Sequence, residues 1–502
     1  MLDAAATESD LNMVPSLFAA LDPMLTFWPY FATLLNVLFC VLAAGHAVLT
    51  KRDTRATIGW VGVIWLAPIL GVVLYIWLGI NRIERRARSL RAERPRLDPS
   101  AGLGGGPAEV ADQAGALAGT PLEPLSKLVR DVTRQPLLAG NRVTPLVDGD
   151  QAYPAMLQAI DEAVRSVTLT TYIFAHDDTG QQFLDSLQRA VARGVDVRVL
   201  IDGVGGRYHG PPMPRGLRRA GVPCAQFLPT LIPWRFQYSN LRSHRKILVV
   251  DGSIGFTGGM NIHAGNCLER QPRHPVQDLH FRLTGPVVSQ LQTVFADDWA
   301  FCTGELLHGH PWFPAVESEG RVLARGIPNG PDDDFETLRL TLLGALACAR
   351  SSLLVVTPYF LPDASLIAAL NVAAMRGVQV DIVLPALSDL TLVQWASTAL
   401  LWQVLERGCR VWLSPPPFDH TKLLLVDEFW TLLGSANWDP RSLRLNFEFN
   451  VECYDRELAA WLTDWVRRKI RQSRSLSLAD VDGRSLPIRL RDGVARLFSP
   501  YL

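Results

Sequence analysis

The 502-residue chain has no net charge, little lysine and no paired cysteine motif. Its 49 basic and 49 acidic side chains cancel, which excludes an overall electrostatic attraction to nucleic acid. The seven cysteines, an odd number without regular spacing, argue against a disulfide framework or a zinc site and indicate a reducing compartment. Only five of the basic residues are lysines, so a lysine inside a recurring motif is informative.

Apolar residues are abundant, at 48% of the chain, and the longest apolar runs lie near the N-terminus. Segments 25–50 and 58–80 are each long enough to cross about 30 Å of hydrocarbon as a helix. We therefore predict an N-terminal tail over 1–24 followed by two transmembrane helices, 25–50 and 58–80. A cleaved signal peptide is the alternative, but the leader is acidic and lacks a basic N-terminal region.

Basic residues are denser after the second apolar segment than before it. Three lie between the two segments, and seven arginines lie between residues 82 and 96. Because basic residues near a span favour the cytoplasmic side, we expect a multi-pass protein of the cell (inner) membrane whose residues beyond 82 are cytoplasmic. The arginine cluster either binds anionic lipid or only sets the topology, and the sequence leaves both readings open.

A stretch rich in Gly, Ala and Pro, 97–121, predicts a flexible linker. Beyond it, β-rich apolar runs alternate with helical patterns, which is typical of an α/β fold with a largely parallel sheet. One strand, helix, Arg-Gly-Val, strand phrase occurs at 167–201 and again at 353–384. We predict two duplicated α/β lobes with pseudo-twofold symmetry, 122–317 and 318–502.

A polar motif repeats at nearly the same offset. The pattern His-x-Lys-x4-Asp occurs at His244, Lys246 and Asp251, and again at His420, Lys422 and Asp427. Each histidine is followed 17 residues later by an asparagine, Asn261 or Asn437. A strand end followed by a turn would explain one copy, but it does not explain two copies that are both complete.

Two such groups, brought together, have the chemistry to exchange a phosphodiester. Two lysines and two asparagines can hold its negative charge. One imidazole attacks phosphorus while the other protonates the leaving oxygen, and a covalent phosphohistidine intermediate divides the exchange into two steps. The mechanism needs no metal or cofactor, and His274, His308 and His310 have no third metal ligand at convincing spacing.

The paired motifs resemble the phospholipase D superfamily and, within it, the bacterial cardiolipin synthases. The surrounding segments resemble them too: Asn240-x-Arg242-x-His244, residues 434–442, Asn446-Phe447-Glu448, Thr357-Pro358-Tyr359-Phe360 and Phe498-Ser499-Pro500. The resemblance covers nearly the whole chain. It implies duplicated phospholipase D-like lobes and a phosphatidyltransferase.

The resemblance also implies roles for single residues. His244 and His420 become nucleophile and acid, with His244 expected to attack. The other catalytic and substrate-binding residues implied are Lys246, Lys422, Asp251, Asp427, Asn261, Asn437 and Ser435. Asp278 and Glu448 are expected to orient the imidazoles through their other nitrogens, with surface ion pairing as the alternative. Gly259 stands where the other half has Ser435.

The expected reaction transfers a phosphatidyl group between two phosphatidylglycerol molecules and yields cardiolipin and glycerol. A phospholipase D that uses water, or a transferase that uses another headgroup alcohol, is the alternative. A nuclease fits poorly with zero net charge and a membrane anchor, and a non-catalytic scaffold fits poorly with two complete motifs. The tail 485–502 either lies along the bilayer or packs on the catalytic lobes, and the sequence favours neither.

Overall fold

The computed structural model describes residues 13–51, 54–79, 112–205, 212–229, 241–331 and 336–499. The chain divides into two compact units, residues 1–85 and 86–502. The arginine cluster between residues 82 and 96, and most of the predicted linker 97–121, lie outside the described residues.

The N-terminal unit contains three helices, α1 (Met13–Thr50), α2 (Thr54–Leu66) and α3 (Pro68–Leu74), followed by a π-helical turn (Tyr75–Gly79). Helix α1 packs against the others through small side chains, Cys40, Ala43, Ala44 and Ala47. Small residues let helix backbones approach closely, as is common between helices in membranes. His46 Nδ1 and the Tyr75 hydroxyl, 2.7 Å apart, add a hydrogen bond between α1 and the turn.

Of the described residues, Phe27–Thr50 form the single helix long and apolar enough to cross a membrane by length and composition. The predicted segment 58–80 is divided between α2 and α3 at Ala67, because Pro68 has no backbone N–H and starts a new helix. The pair of transmembrane helices, 25–50 and 58–80, therefore stays a prediction. Helix α1 also begins at Met13, so half of the predicted tail 1–24 is helical.

The described part of the second unit begins at residue 112, in a structured part of the predicted linker. Residues Gln113–Leu117 form a 3₁₀ turn, and α4 (Glu123–Thr133) follows. Leu117, Leu125 and Val129 are buried in the same cluster as Leu338 and Leu342 of the later helix Thr337–Cys348. Although the sequence assigned α4 to the first lobe, it therefore packs in the core of the second.

The first lobe contains these elements in chain order: β1 (Leu138–Val147), α5 (Asp148–Glu162), β2 (Ser166–Thr171), α6 (Asp178–Ala192), β3 (Asp196–Asp202), α7 (Met213–Arg219), β4 (Cys224–Phe227), β5 (Arg242–Ser243), β6 (Ile247–Val250), β7 (Ile254–Gly258), β8 (Val276–Gln277), β9 (Leu279–Thr284) and α8 (Val288–Thr303).

The second lobe contains β10 (Val322–Asn329), α9 (Thr337–Cys348), β11 (Ser352–Val356), α10 (Ala364–Met375), β12 (Gln379–Pro385), α11 (Thr391–Thr398), α12 (Trp402–Leu405), β13 (Arg410–Ser414), β14 (Phe418–Asp419), β15 (Leu423–Val426), β16 (Trp430–Gly434), α13 (Pro440–Arg444), β17 (Asn446–Tyr454), α14 (Arg456–Gln472), β18 (Arg474–Leu476), α15 (Leu478–Asp482) and α16 (Leu486–Leu497).

The two lobes share one strand order and meet edge to edge. The first reads β4-β3-β2-β6-β7-β9-β1, and the second reads β13-β12-β11-β15-β16-β17-β10, with β18 added at the outer edge. Strands β1 and β10 pair antiparallel and join the lobes. This arrangement agrees with the predicted α/β fold and its duplicated lobes.

The sheet is mixed rather than largely parallel as predicted. Only β2-β3-β4 and β11-β12-β13 run parallel within the lobes. The other neighbouring strands within each lobe pair antiparallel. Among them, β6-β7 and β15-β16 are hairpins, and a short turn can only join antiparallel neighbours. Helices α8 and α14 contribute to a core spanning both lobes, with Leu291 and Leu462 fully buried in it.

Candidate active site

Each motif histidine follows a two-residue strand that crosses to the other lobe. Strand β5 pairs in parallel with β17, and the His244 backbone N–H donates to the Phe447 carbonyl at 2.8 Å. Strand β14 pairs in parallel with β8, and the His420 N–H donates to the Gln277 carbonyl at 2.8 Å. The same construction therefore brings both histidines to the boundary between the lobes.

The side chains repeat this exchange between lobes. His244 Nδ1 lies 2.9 Å from a carboxylate oxygen of Glu448, which is on β17 of the second lobe. His420 Nδ1 lies 2.8 Å from a carboxylate oxygen of Asp278, which precedes β9 of the first lobe. Both carboxylates are fully buried, so surface ion pairing does not describe them. Each imidazole is held at Nδ1, which leaves Nε2 for chemistry.

The motif lysines lie beneath the histidines. Lys246 Nζ donates to the His244 carbonyl at 2.7 Å, and Lys422 Nζ donates to the His420 carbonyl. Burial lowers the pKa of Lys246 to about 7 and that of Lys422 to about 8, although Glu448 and Asp278 oppose the shift. A phosphate anion nearby would favour the charged ammonium of both lysines.

The two carboxylates have different surroundings. Glu448 accepts hydrogen bonds from the Ser435 hydroxyl at 2.5 Å and from the Asn446 amide at 3.2 Å. Asp278 accepts instead from the Leu279 backbone N–H at 2.8 Å. Gly259 stands where the second half has Ser435, and a Cβ at Gly259 would overlap both carboxylate oxygens of Asp278.

These surroundings separate the pKa values of the two carboxyls. Burial alone would raise the pKa of Glu448, but the charges of His244 and Lys246, with the Ser435 hydroxyl, lower it. Burial raises the pKa of Asp278 to about 8, and the charge of Lys422 only partly offsets it. Glu448 is therefore the more readily ionised of the two.

The histidines differ in the same sense. Burial lowers the pKa of His244, and Glu448 opposes that shift. The pKa of His420 is lowered well below its ordinary value, first by burial and then by the charges of Lys422 and Lys246. Without a bound anion, the unprotonated imidazole is the favoured form of His420.

The motif aspartates lie away from the histidines. The Asp251 carboxylate accepts from the backbone N–H groups of residues 164–166, and the Asp427 carboxylate accepts from those of residues 350–352. Each is in the left-handed region, at φ 52° and 53°, in the turn after β6 or β15. They tie a hairpin turn to the start of β2 or β11, so they organise the fold around the motif.

The predicted substrate-binding residues divide into two groups. Asn261 and Asn437 line the cleft that contains both histidines. The Asn261 side-chain oxygen accepts from the Ile173 backbone N–H at 3.1 Å, which leaves its amide N–H groups for a ligand. Ser435 is fully buried, and its hydroxyl donates a hydrogen bond to Glu448 instead of lining the cleft.

A cleft of about 1320 Å³ lies between the lobes and contains His244 and His420 in its wall. The residues that flank the two histidines differ at corresponding positions of the two lobes. Beside His244, the cross-lobe strand pair is Arg242 opposite Asn446, whereas beside His420 it is Phe418 opposite Val276. All four line the cleft, so the pair beside His244 is polar and includes an arginine, whereas the pair beside His420 is apolar.

Sequence reasoning missed several residues of the cleft. Arg242 was within reach, because it lies two residues before His244 and alternate residues of a strand share a face. Tyr172 contacts the His244 ring edge-on at 5.3 Å between centroids, and Tyr359 contacts His420 at 6.4 Å. All three residues lay in segments already noted, but the sequence analysis assigned none of them to the site. Within the described parts of the chain, no group of three or more His, Cys, Asp or Glu could hold a metal.

Comparison with known proteins shows similarity along the whole chain. The family described as "Cardiolipin synthase, PLD-like domain" matches residues 156–299 and 342–470, one range in each lobe. The family described as "Phospholipase_D-nuclease N-terminal" matches residues 37–79.

Two relatives and one solved structure illustrate this similarity. Cardiolipin synthase A of Pseudomonas putida (strain GB-1) is 34% identical over 95% of this chain and 98% of its own length. Cardiolipin synthase 1 of Bacillus anthracis is 30% identical over 94% of each chain. The crystal structure of phosphatidylserine synthase from Haemophilus influenzae Rd KW20 has a TM-score of 0.59 at 15% identity, covering 75% of this chain and all of that one. This structural likeness concerns the fold alone.

Proposed function

Because the chain belongs to the cardiolipin synthases of the phospholipase D superfamily, which are phosphatidyltransferases, we propose that it joins two phosphatidylglycerol molecules into cardiolipin and releases glycerol. The observation that carries this proposal is the pair of histidines in one cleft, each held at Nδ1 by a buried carboxylate of the other lobe. That arrangement offers two imidazole Nε2 atoms to one phosphodiester.

In the first step, His244 Nε2 bonds to phosphorus and the bond from phosphorus to the glycerol oxygen breaks. His420 Nε2 gives its proton to that oxygen, and glycerol leaves. The His244 ring gains positive charge as the bond forms, and the ionised Glu448 stabilises this charge through Nδ1. For this reason, we assign the nucleophile to His244.

In the second step, His420 takes the proton from a hydroxyl group of the second phosphatidylglycerol. The freed oxygen bonds to phosphorus, the bond from phosphorus to nitrogen breaks, and cardiolipin leaves. Substrate binding prepares His420 for the first step, because a phosphate anion in the cleft raises the pKa of a nearby imidazole. Lys246, Lys422, Asn261 and Asn437 balance the charge that develops on the phosphoryl oxygens.

Retaining both substrates and the product in one membrane fits an anchored enzyme. We propose that segments 25–50 and 58–80 provide the anchor, with the lobes 122–317 and 318–502 on the cytoplasmic side. The helix Phe27–Thr50 supports the first span by length and composition. Zero net charge and seven cysteines without paired spacing agree with a cytoplasmic lipid enzyme rather than a nuclease.

The test is to incubate the purified full chain, reconstituted in vesicles, with phosphatidylglycerol carrying a label in its headgroup glycerol and another in its acyl chains. We expect cardiolipin and free glycerol in equal amounts. Phosphatidic acid as the only lipid product would contradict the proposal and indicate a hydrolase. A labelled product with an added alcohol, at the expense of cardiolipin, would indicate another headgroup acceptor.

A further inference from the structure

The helix α16 near the C-terminus packs with its polar side inward. Asp492 and Ala495 are buried against the lobe. Leu486, Leu490, Val494 and Leu497, at the spacing i, i+4, i+8 and i+11, form a stripe on the other side and are between 55% and 72% exposed. An amphipathic helix on a water-soluble surface normally turns its apolar stripe toward the core. Here the stripe faces outward.

Helix α16, which carries this outer stripe, lies beside the mouth of the active-site cleft. Helix α16 packs on α11, and Ala495 shares a small buried cluster with Val393 and Ala396 of α11. Val393 also lines the cleft. Just before and at the start of α11, the mouth leucines Leu387, Leu390 and Leu392 line the cleft and are themselves exposed. We call the outer stripe and the mouth leucines together the apolar rim.

Positive charge lies beside the outer stripe. Arg489 and Arg496 are seven residues apart, so they lie on one face of α16, and both are exposed. In the described part of the chain, neither forms an ion pair with a carboxylate. Arg491 differs, because it stacks on Trp395 at 4.2 Å and pairs with Asp492 at 2.7 Å. An apolar stripe flanked by free arginines is typical of a helix that lies in a membrane interface.

We propose that the apolar rim binds the surface of a bilayer containing anionic phospholipid, with the cleft mouth against the headgroups. This inference rests on the proposed function, because substrates with acyl chains must pass from a membrane into the cleft. The cleft wall at Phe418 and Val276, together with the mouth leucines, would then offer apolar surface to the acyl chains. A second copy of the chain fits less well, because it would place Arg489 and Arg496 of both copies close together.

Two variants test the proposal in the full chain, reconstituted in phosphatidylcholine vesicles. Leu490→Asp and Leu497→Asp put a charge in the outer stripe without touching the cleft. The control is Met375→Asp, since Met375 on α10 is equally exposed, at 67%, and is not part of the rim. Each protein receives phosphatidylglycerol in two forms, as long-chain lipid in the vesicle bilayer and as dihexanoyl lipid dissolved below its micelle concentration.

We expect each rim variant to lose at least about tenfold in activity on bilayer substrate and to keep its activity on dissolved substrate within about twofold. Met375→Asp should match the unmodified protein in both assays. Arg489→Glu with Arg496→Glu should lower bilayer activity most at low salt, because salt screens exposed charges.

Equal losses on both substrates, or no loss on either, would overturn the membrane proposal. Unchanged bilayer activity accompanied by a change from dimer to monomer would overturn it in favour of self-association. Failure of the proposed function is separate, because the unmodified protein would then form no cardiolipin from either form of substrate.

Discussion

The two halves of the active site use the same parts in different surroundings. His244 is held by Glu448, which the Ser435 hydroxyl supports, and the strand pair beside it is Arg242 and Asn446. His420 is held by Asp278, which has glycine at the corresponding position and an apolar strand pair beside it. A duplicated scaffold can thus give two identical imidazoles opposite roles through their neighbours.

The largest expected effect is the loss of either histidine. His244→Ala and His420→Ala should each lower cardiolipin formation by about 10⁴-fold, the upper range for removing a positioned acid or base. A lipid with a nitrophenol headgroup separates the roles, because nitrophenolate leaves without a proton. A single turnover should release nitrophenolate from the variant His420→Ala and should release none from His244→Ala.

His308→Ala is the matched control for both variants, since His308 is exposed and lies outside the cleft. If the nitrophenol lipid restored His244→Ala instead, the assignment of the nucleophile would reverse. Restoration of neither variant would contradict a division into one nucleophile and one acid.

Substitutions of the two carboxylates should lower activity less than the loss of a histidine, and their effects should differ from each other. We expect Glu448→Gln to lower kcat/KM by about 100-fold and Asp278→Asn by about tenfold. Each factor of ten in kcat/KM represents about 1.4 kcal/mol, the same free energy as one pKa unit. An amide resembles the protonated acid, which Asp278 retains up to about pH 8 before substrate binds, whereas Glu448 acts as an anion. Steady-state kinetics of the reconstituted variants measure both effects. Equal losses, or a larger loss for Asp278→Asn, would remove the distinction between the halves.

Substitutions at the corresponding positions beside the carboxylates, Gly259 and Ser435, should have smaller effects than Glu448→Gln. Gly259→Ala adds a Cβ that must displace Asp278, so we expect a loss of about 30-fold in kcat/KM. Ser435→Ala removes only a hydroxyl that donates to an anion, for a loss of up to about tenfold.

The pH dependence of kcat/KM tests the role of Ser435 in the variant Ser435→Ala. The pKa of Glu448 is lowered in the folded protein, so its support of His244 is present above that pKa and disappears as pH falls through it. Losing the Ser435 donor raises that pKa, and the acidic limb of kcat/KM should move to higher pH. An unmoved limb, or a larger loss in Ser435→Ala than in Gly259→Ala, would contradict the proposed roles of these positions.

The sequence predicted the duplicated α/β fold because the repeated motifs and periodic strands are local signals. The strands Asp196–Asp202 and Gln379–Pro385 each end one residue beyond the predicted repeats 167–201 and 353–384. The structure brings the predicted site residues His244, His420, Asp278 and Glu448 to one boundary between the lobes. The sequence did not predict that the pairs cross between lobes, since pairing between residues 204 and 142 positions apart leaves no local pattern.

Other features depended on packing that periodicity does not report. Helix α4 joins the second core although it precedes the first lobe, because its buried face fits against α9. The sequence left two placements open for the C-terminal tail, and α16 packs on the lobe through one side while its apolar side faces outward. Ser435 matched a substrate-binding position, yet burial turned its hydroxyl to Glu448.

The crossed histidine and carboxylate pairs make the halves dependent on each other. A polypeptide ending after α8 would keep His244 but lack the acid that orients it, and the remaining polypeptide would keep His420 in the same condition. Neither fragment would form cardiolipin alone. A mixture of the two would regain activity only where their sheets pair edge to edge. Two identical half-length chains, paired as a symmetric dimer, could form the same crossed histidine and carboxylate pairs. The covalent connection between the lobes therefore holds together an arrangement that twofold symmetry alone can specify.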